Sequence, residues 1–199
     1  MRVLAIGAHP DDIEIACSGT LAKCVKRGDK VIVCHASTGN LGHVIIPPDE
    51  LTEIRKKEAE KAGSLAGIEV IGGIFNDLDI FDNNKAARDK MVEVIKYAQP
   101  DFIITHNPDD YMPDHTAVSR LVFDASFTAT LPNYKCGGEK AAKLVPIYYM
   151  DTLAGVNFNP TEFVDISNEI DLKIKMLECH ESQLVWMKEH DGIDFADMV

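Results

Sequence analysis

The chain has 199 residues, 46% of them apolar, which is enough for one sizeable core and short for two, so a single domain over 1–199 is expected. Its 20 Lys and Arg stand against 32 Asp and Glu, and the resulting net charge of -12 repels polyphosphate backbones and anionic lipid, so no nucleic acid and no membrane partner is expected. The five cysteines are odd in number and form no C-x-x-C pair, as in a reduced cytosolic protein, and no segment approaches the ~20 apolar residues of a bilayer span; a cytoplasmic location is expected.

Short β-branched runs alternate with segments of helical period. Val3 to Ala8 reads as a strand and Ile13 to Val25 as a helix; Val31 to His35 and Asp49 to Ala66, then Val70 to Ile74 and Lys85 to Ala98, repeat the unit, and Phe102 to Thr105 leads to a helix over His115 to Phe127. The unbroken apolar character of "VLAIGA" and "DFIIT" belongs to parallel strands covered on both faces. The fold class is therefore α/β and Rossmann-like, a mostly parallel sheet with helices on both faces. In the third helix Ala87, Met91, Val94, Ile95 and Ala98 form one apolar stripe. Residues 130–145, with Gly137-Gly138, read as a loosely structured rim that could pack against a second copy. A strand at Pro146 to Met150 follows, then another around Phe163 to Ile166, and a last helix capped by Ser167 with a stripe of Ile170, Ile174, Leu177 and Leu184.

Ligands of open parallel sheets gather beyond the carboxyl ends of the strands, and "AHPDD" sits at the first of these ends. Asp11 as N-cap, with Asp12 and Glu14 in the first turn, would explain the acids as a helix start but leaves His9 without a reason. "THNPDDYMPDHTAV" repeats the chemistry after the fourth strand, placing His115 beside Asp114 at a helix opening. If the first and fourth strands are neighbours, His9, Asp12 and His115 can converge. Two imidazoles and one carboxylate suit a catalytic zinc or the iron of a facial-triad oxygenase. Asp11 is the spare carboxylate that a hydrolytic zinc site requires to move the proton of its water, which favours zinc.

"AHPDD" with a following Gly-Thr, together with "PDH", resembles the zinc-dependent de-N-acetylases of the LmbE and PIG-L family, from residue 1 to the end of the fourth unit. The resemblance implies a Rossmann-like fold and removal of acetyl from N-acetylglucosamine-type sugars. By similarity His9, Asp12 and His115 match the metal ligands, for zinc or another divalent ion, and Asp11 matches the general base. Arg55 in "EIRKKEA" matches an arginine near the ligand region, against the alternative of a solvated helix face paired with Glu58. Asn40 in "STGN" is a candidate substrate contact, although a tight turn at Gly39 explains that loop equally well.

Departures are equally specific. Ile13 follows the second aspartate where glutamate is usual, with Glu14 one position later, and Ser18-Gly19 stands where Gly-Gly is common. Met112 occupies the position of a histidine that, with the aspartate matched by Asp114, is held to stabilise the oxyanion in the family; methionine donates no hydrogen bond. His106, Tyr111 and His180 are the available substitutes, with His180 in "CHESQ" favoured for its likeness to a late histidine-serine-glutamine element. Asp114 is also the first candidate to support a metal ligand by adjacency. His35 and His43 read as structural or loop residues and His190 as exposed. The chain ends at "DGIDFADMV" where family members usually continue, so a truncated copy or a site completed within a homo-oligomer is expected. The resulting expectation is a hydrolase that deacetylates an N-acetylated sugar or similar small amide. The alternatives are a non-catalytic small-molecule-binding module and a metal hydrolase of another bond; the missing G-x-G-x-x-G counts against dinucleotide binding.

Overall fold

A computed structural model describes residues 1–138, 140–153, 155–190 and 192–194. Five parallel strands form one sheet in the order β3-β2-β1-β4-β5, namely β1 (Arg2–Gly7), β2 (Lys30–Ser37), β3 (Glu69–Phe75), β4 (Phe102–His106) and β5 (Ile147–Met150). The order reverses between β1 and β4, whose pairing of Ile6 with Thr105 sets the loops after these two strands side by side. Side chains alternate across the pleat, so β2 feeds Ile32, Cys34 and Ala36 to one face and Val31 and Val33 to the other. Helices α4 (Lys85–Ala98) and α5 (Pro113–Thr128) cover the first face. The second is covered by α1 (Asp12–Ala16), α2 (Ser18–Lys26), α3 (Pro48–Ala66) and α6 (Ile170–Leu177), and α7 (Glu181–His190) lies against α3. The stripe expected on α4 is buried in full. All five cysteines are free thiols, and no helix among the described residues is long and apolar enough to cross a membrane.

Three expected elements differ. The helix expected over Ile13 to Val25 is two helices broken at Cys17, whose φ of -143° leaves the helical region; Ser18 Oγ then donates to the Glu14 carbonyl, and Lys173 Nζ to that of Ile15. Phe163 to Ile166 is not a strand. No sheet edge reaches it, and it runs across α2 instead: Lys23 Nζ holds the Asp165 carbonyl, and Ile166 lies so close to Gly19 that a Cβ there would meet it at 2.7 Å. The last helix is also two, α6 and α7, and its cap is Glu169, because the Ser167 hydroxyl is spent on Asp165. No helix or strand forms at the described residues of 130–145, and most of the acidic end after His190 lies outside the described residues.

Candidate metal centre

The loop after β1 folds back on itself. His9 N–H donates to Asp12 Oδ2 at 2.6 Å, and Asp11 is held at φ 114°, a left-handed conformation that costs a non-glycine residue on the order of 1–3 kcal/mol. Asp11 is the N-cap of α1 and Asp12 and Glu14 lie in its first turn, but the Asp11 side chain makes no cap bond, so capping does not account for its carboxyl. Its carboxyl is buried, and burial pushes its pKa up to about 6 against the opposing attraction of Arg55. Asp12 is buried as deeply, yet the attraction of His115 outweighs the desolvation and holds it well below the usual carboxylate range.

β4 and α5 supply the facing half. Asp12 Oδ1 lies 3.3 Å from His115 Nε2, and Oδ2 lies 3.5 Å from His9 Nδ1. One ligand atom from each of His9, Asp12 and His115 falls within 4.8 Å of the others. The outer nitrogens are fixed: His9 Nε2 lies 3.1 Å from Asp114 Oδ2, and His115 Nδ1 lies 3.2 Å from Asp110 Oδ2. Metal-binding histidines are oriented in this way. His115 Nε2 is buried without a hydrogen-bond partner, a cost that a cation between the three groups removes. The donor set and this orphaned nitrogen fit a tetrahedral ion with an open position. A second group, His106, Asp110 and His115, has comparable spacing, but the two rings are stacked at 3.9 Å with planes only 13° apart. Imidazole lone pairs lie in the ring plane, so these two run side by side, whereas the His9 and His115 planes cross at 50°.

His9 and His115 carry the positive charge of this acidic nest. Burial lowers His9, but Asp114 and Asp12 outweigh it and raise its pKa to about 11; Asp12 and Asp110 likewise raise His115 against its burial. His106 is lowered, by burial first, and its Nε2 accepts from Ala8 N–H at 2.9 Å.

The remaining candidates are placed as follows. Arg55 is buried, donating to the Gly42 carbonyl, which rules out the solvated face; Glu58 pairs with Ser182 instead. Gly39 and Gly42 are small because a Cβ on either would run into that guanidinium, at 2.5 and 2.7 Å. Asn40 Oδ1 accepts from Asp77 N–H, so it ties the loop after β2 to the loop after β3. Asp114 braces His9 and also accepts from Leu78 N–H. His180 is 1% exposed in the turn between α6 and α7, with Nε2 3.4 Å from Glu14 Oε2. His43 approaches Trp186 in the exposed loop before α3, and His190 is exposed on α7.

Two supports, Asp77 and Asp110, had no role in the sequence reading, and a third, His35, was read only as structural. Asp77 accepts from Gly39 and Leu41 N–H, Asp110 holds His115, and His35 Nδ1 lies 3.0 Å from the His9 carbonyl. Each sits at or just past the carboxyl end of a strand, the signal that singled out His9 and His115.

A Rossmann-like sheet carrying a two-histidine, one-carboxylate centre at its switch point defines an α/β metalloenzyme scaffold. The chain belongs to the GlcNAc-PI de-N-acetylase (PIG-L) family, whose model matches residues 4–126. It is 28% identical to a diacetylchitobiose deacetylase of Thermococcus kodakarensis over 93% of this chain and 72% of that protein. It is 27% identical to a 4-oxalmesaconate hydratase of Pseudomonas putida over 90% of this chain and 73% of that one. Among solved structures, the N,N'-diacetylchitobiose deacetylase of Pyrococcus horikoshii superposes with a TM-score of 0.80 at 25% identity, covering 96% of this chain and 74% of that one.

Proposed function

We propose that this protein is a zinc-dependent deacetylase acting on an N-acetylated sugar of the N-acetylglucosamine type or a similar small amide. The observation that carries this is the convergence of His9, Asp12 and His115 beside a separate buried carboxylate, Asp11, in a family with sugar deacetylases among its relatives. His9, Asp12 and His115 would hold zinc, which when bound lowers the pKa of water and polarises the amide carbonyl.

The chain's own groups supply the rest. Asp11, with a pKa near 6, takes the proton of the attacking water as the oxygen–carbon bond forms, and delivers it to the leaving nitrogen as the carbon–nitrogen bond breaks. Acetate and a free amine result. Asp110 and Asp114 keep the two imidazoles turned toward the centre. His180 and Arg55 act on Asp11 rather than on substrate: both are cations whose attraction opposes its burial. Asn40 works with Asp77 to shape the loop over the site.

The test is acetate release from N-acetylglucosamine and N,N'-diacetylchitobiose by the zinc-loaded protein, with Asp11→Asn as control. Release that survives in Asp11→Asn with its metal retained overturns the assignment of the base. The hydratase relative and the loss of a donor at Met112 favour one further possibility, addition of water to a conjugated double bond by the same base. Loss of ultraviolet absorbance from an unsaturated dicarboxylate, without acetate release from any amide, identifies it.

A further inference from the structure

A cavity separate from the metal centre lies between α3 and the carboxyl ends of β2 and β3. It opens where the edge of the sheet is irregular. His35 pairs with Gly72 and Ser37 with Phe75, so Gly73 and Ile74 of the edge strand β3 stand opposite Ala36 alone and the ladder bulges. Gly72 keeps the two backbones close at this point, since a Cβ on it would meet the His35 carbonyl at 2.2 Å. The space has a volume of about 300 Å³, enough for roughly ten waters at ~30 Å³ each or for one small ring molecule. Of the loop after β1 only Pro10 reaches it, and none of His9, Asp11, Asp12 and His115 lines it.

Its wall carries polar atoms with nothing to bind. His35 Nε2, Ser37 Oγ and Thr38 Oγ1 are buried and have no hydrogen-bond partner, with His35 only 3% and Ser37 only 1% exposed. Three such orphans along one strand end are costly unless an occupant of the cavity satisfies them. Their chemistry narrows what that occupant is. His35 Nδ1 lies 3.0 Å from the His9 carbonyl, which only accepts, so Nδ1 bears the proton and Nε2 of the neutral ring is an acceptor; the occupant donates to it. The two hydroxyls each give and take. On the α3 side Glu53 and Glu60 flank Lys56, all three exposed and with free side chains among the described residues, so an anion would meet two carboxylates for one ammonium. An apolar molecule would leave the orphans as they are. A neutral polyol satisfies every group: its hydroxyls donate to Nε2 and the carboxylates, accept from Lys56 and exchange with Ser37 and Thr38, while its C–H faces rest on Ala59 and Val70. We propose that this cavity is a non-catalytic binding site for an uncharged ring polyol of monosaccharide size, held by His35, Ser37 and Thr38 on one side and by Glu53, Lys56 and Glu60 on the other.

NMR titration of the zinc-loaded protein with glucose, mannose, galactose and myo-inositol, none of which carries an amide, tests this without any reference to acetate release. At least one probe should bind with a Kd in the millimolar range or tighter, and the His35 Nε2 resonance should shift as that nitrogen accepts a hydrogen bond. The same binding should persist in the metal-stripped protein, because no metal-binding residue lines the cavity. Ser37→Ala/Thr38→Val, which removes both hydroxyls, and Ala59→Leu, which adds bulk from α3, should each weaken binding at least about tenfold while zinc content stays at the parent level. Failure of all four probes at about 50 mM, where a millimolar site is filled, leaves water as the occupant and overturns the proposal. Binding that both variants retain within about threefold overturns it too, as does binding lost with the metal, which places the sugar at the metal centre. Should either variant fail to fold, the parent decides: a His35 Nε2 resonance that stays still while a probe binds overturns the assignment, and one that moves supports it.

Discussion

His180→Ala tests how the second layer is built. Glu14 and His180 are both about 1% exposed and face each other at 3.4 Å, between α1 and the turn after α6. Burial alone would keep Glu14 protonated and His180 neutral, but each holds the other in its charged form: Glu14 is lowered and His180 raised. Removing the imidazole leaves the Glu14 carboxylate in the core with only His35, which burial holds toward its neutral form, near it, a loss of about 3–5 kcal/mol for a buried pair broken from one side. For a chain of this size that is a fall in Tm of roughly 6–20 °C. Urea unfolding of the parent, His180→Ala and Glu14→Gln/His180→Ala measures it. The double variant, which removes the stranded charge, should recover part of the loss.

The pH dependence has a definite sign. Glu14's contribution is present above its ordinary value of 4.5 and lost as pH falls through its lowered folded value. The contribution of His180 is present below its ordinary 6.5 and lost as pH rises through its raised folded value. The gap between parent and His180→Ala should therefore be widest between about pH 4.5 and 6.5 and narrow on both sides. A gap below about 1 kcal/mol, or a double variant no more stable than His180→Ala, refutes the ion-pair argument.

Other outcomes follow from the same charges. The acid limb of kcat should have its midpoint at or below about pH 6, because Asp11 must be ionised to accept a proton and a bound cation lowers it further; Asp11→Asn should abolish the limb together with turnover. Zinc uptake by the metal-free protein should release more than one proton per ion near neutral pH, since His9 and His115 are both raised there; calorimetry in buffers of different ionisation heat counts them, and no release contradicts the assigned ligands. Cys17 and Cys34, both pushed up to about 12 by burial, should resist alkylation at pH 8 until the chain unfolds, which mass spectrometry reads directly.

The sheet was legible because its strands are covered on both faces and so read as unbroken apolar runs, and the cluster of His9, Asp12 and His115 because these residues follow two such runs. His9, Asp12 and His115 needed only the adjacency of β1 and β4, which the strand order supplies. What sequence could not carry depends on distant partners. The break at Cys17 is stabilised by Lys173, more than a hundred residues away, and the Phe163 to Ile166 run has strand character but no edge to join. Arg55 is charged and lies on a helix, the pattern of a solvated face; it is buried because the loop after β2 has glycines where a side chain would collide with it. Asp11 takes a backbone conformation rare for aspartate, which no local pattern announces.

Metal content of the purified protein tests the whole arrangement most directly. The parent should carry about one zinc per chain in a shell of nitrogen and oxygen donors at about 2.0–2.2 Å by X-ray absorption, and Asp12→Ala should lose it while remaining folded. Stoichiometric zinc retained in Asp12→Ala, or a parent that takes up no divalent ion, would contradict the convergence of His9, Asp12 and His115 on one cation.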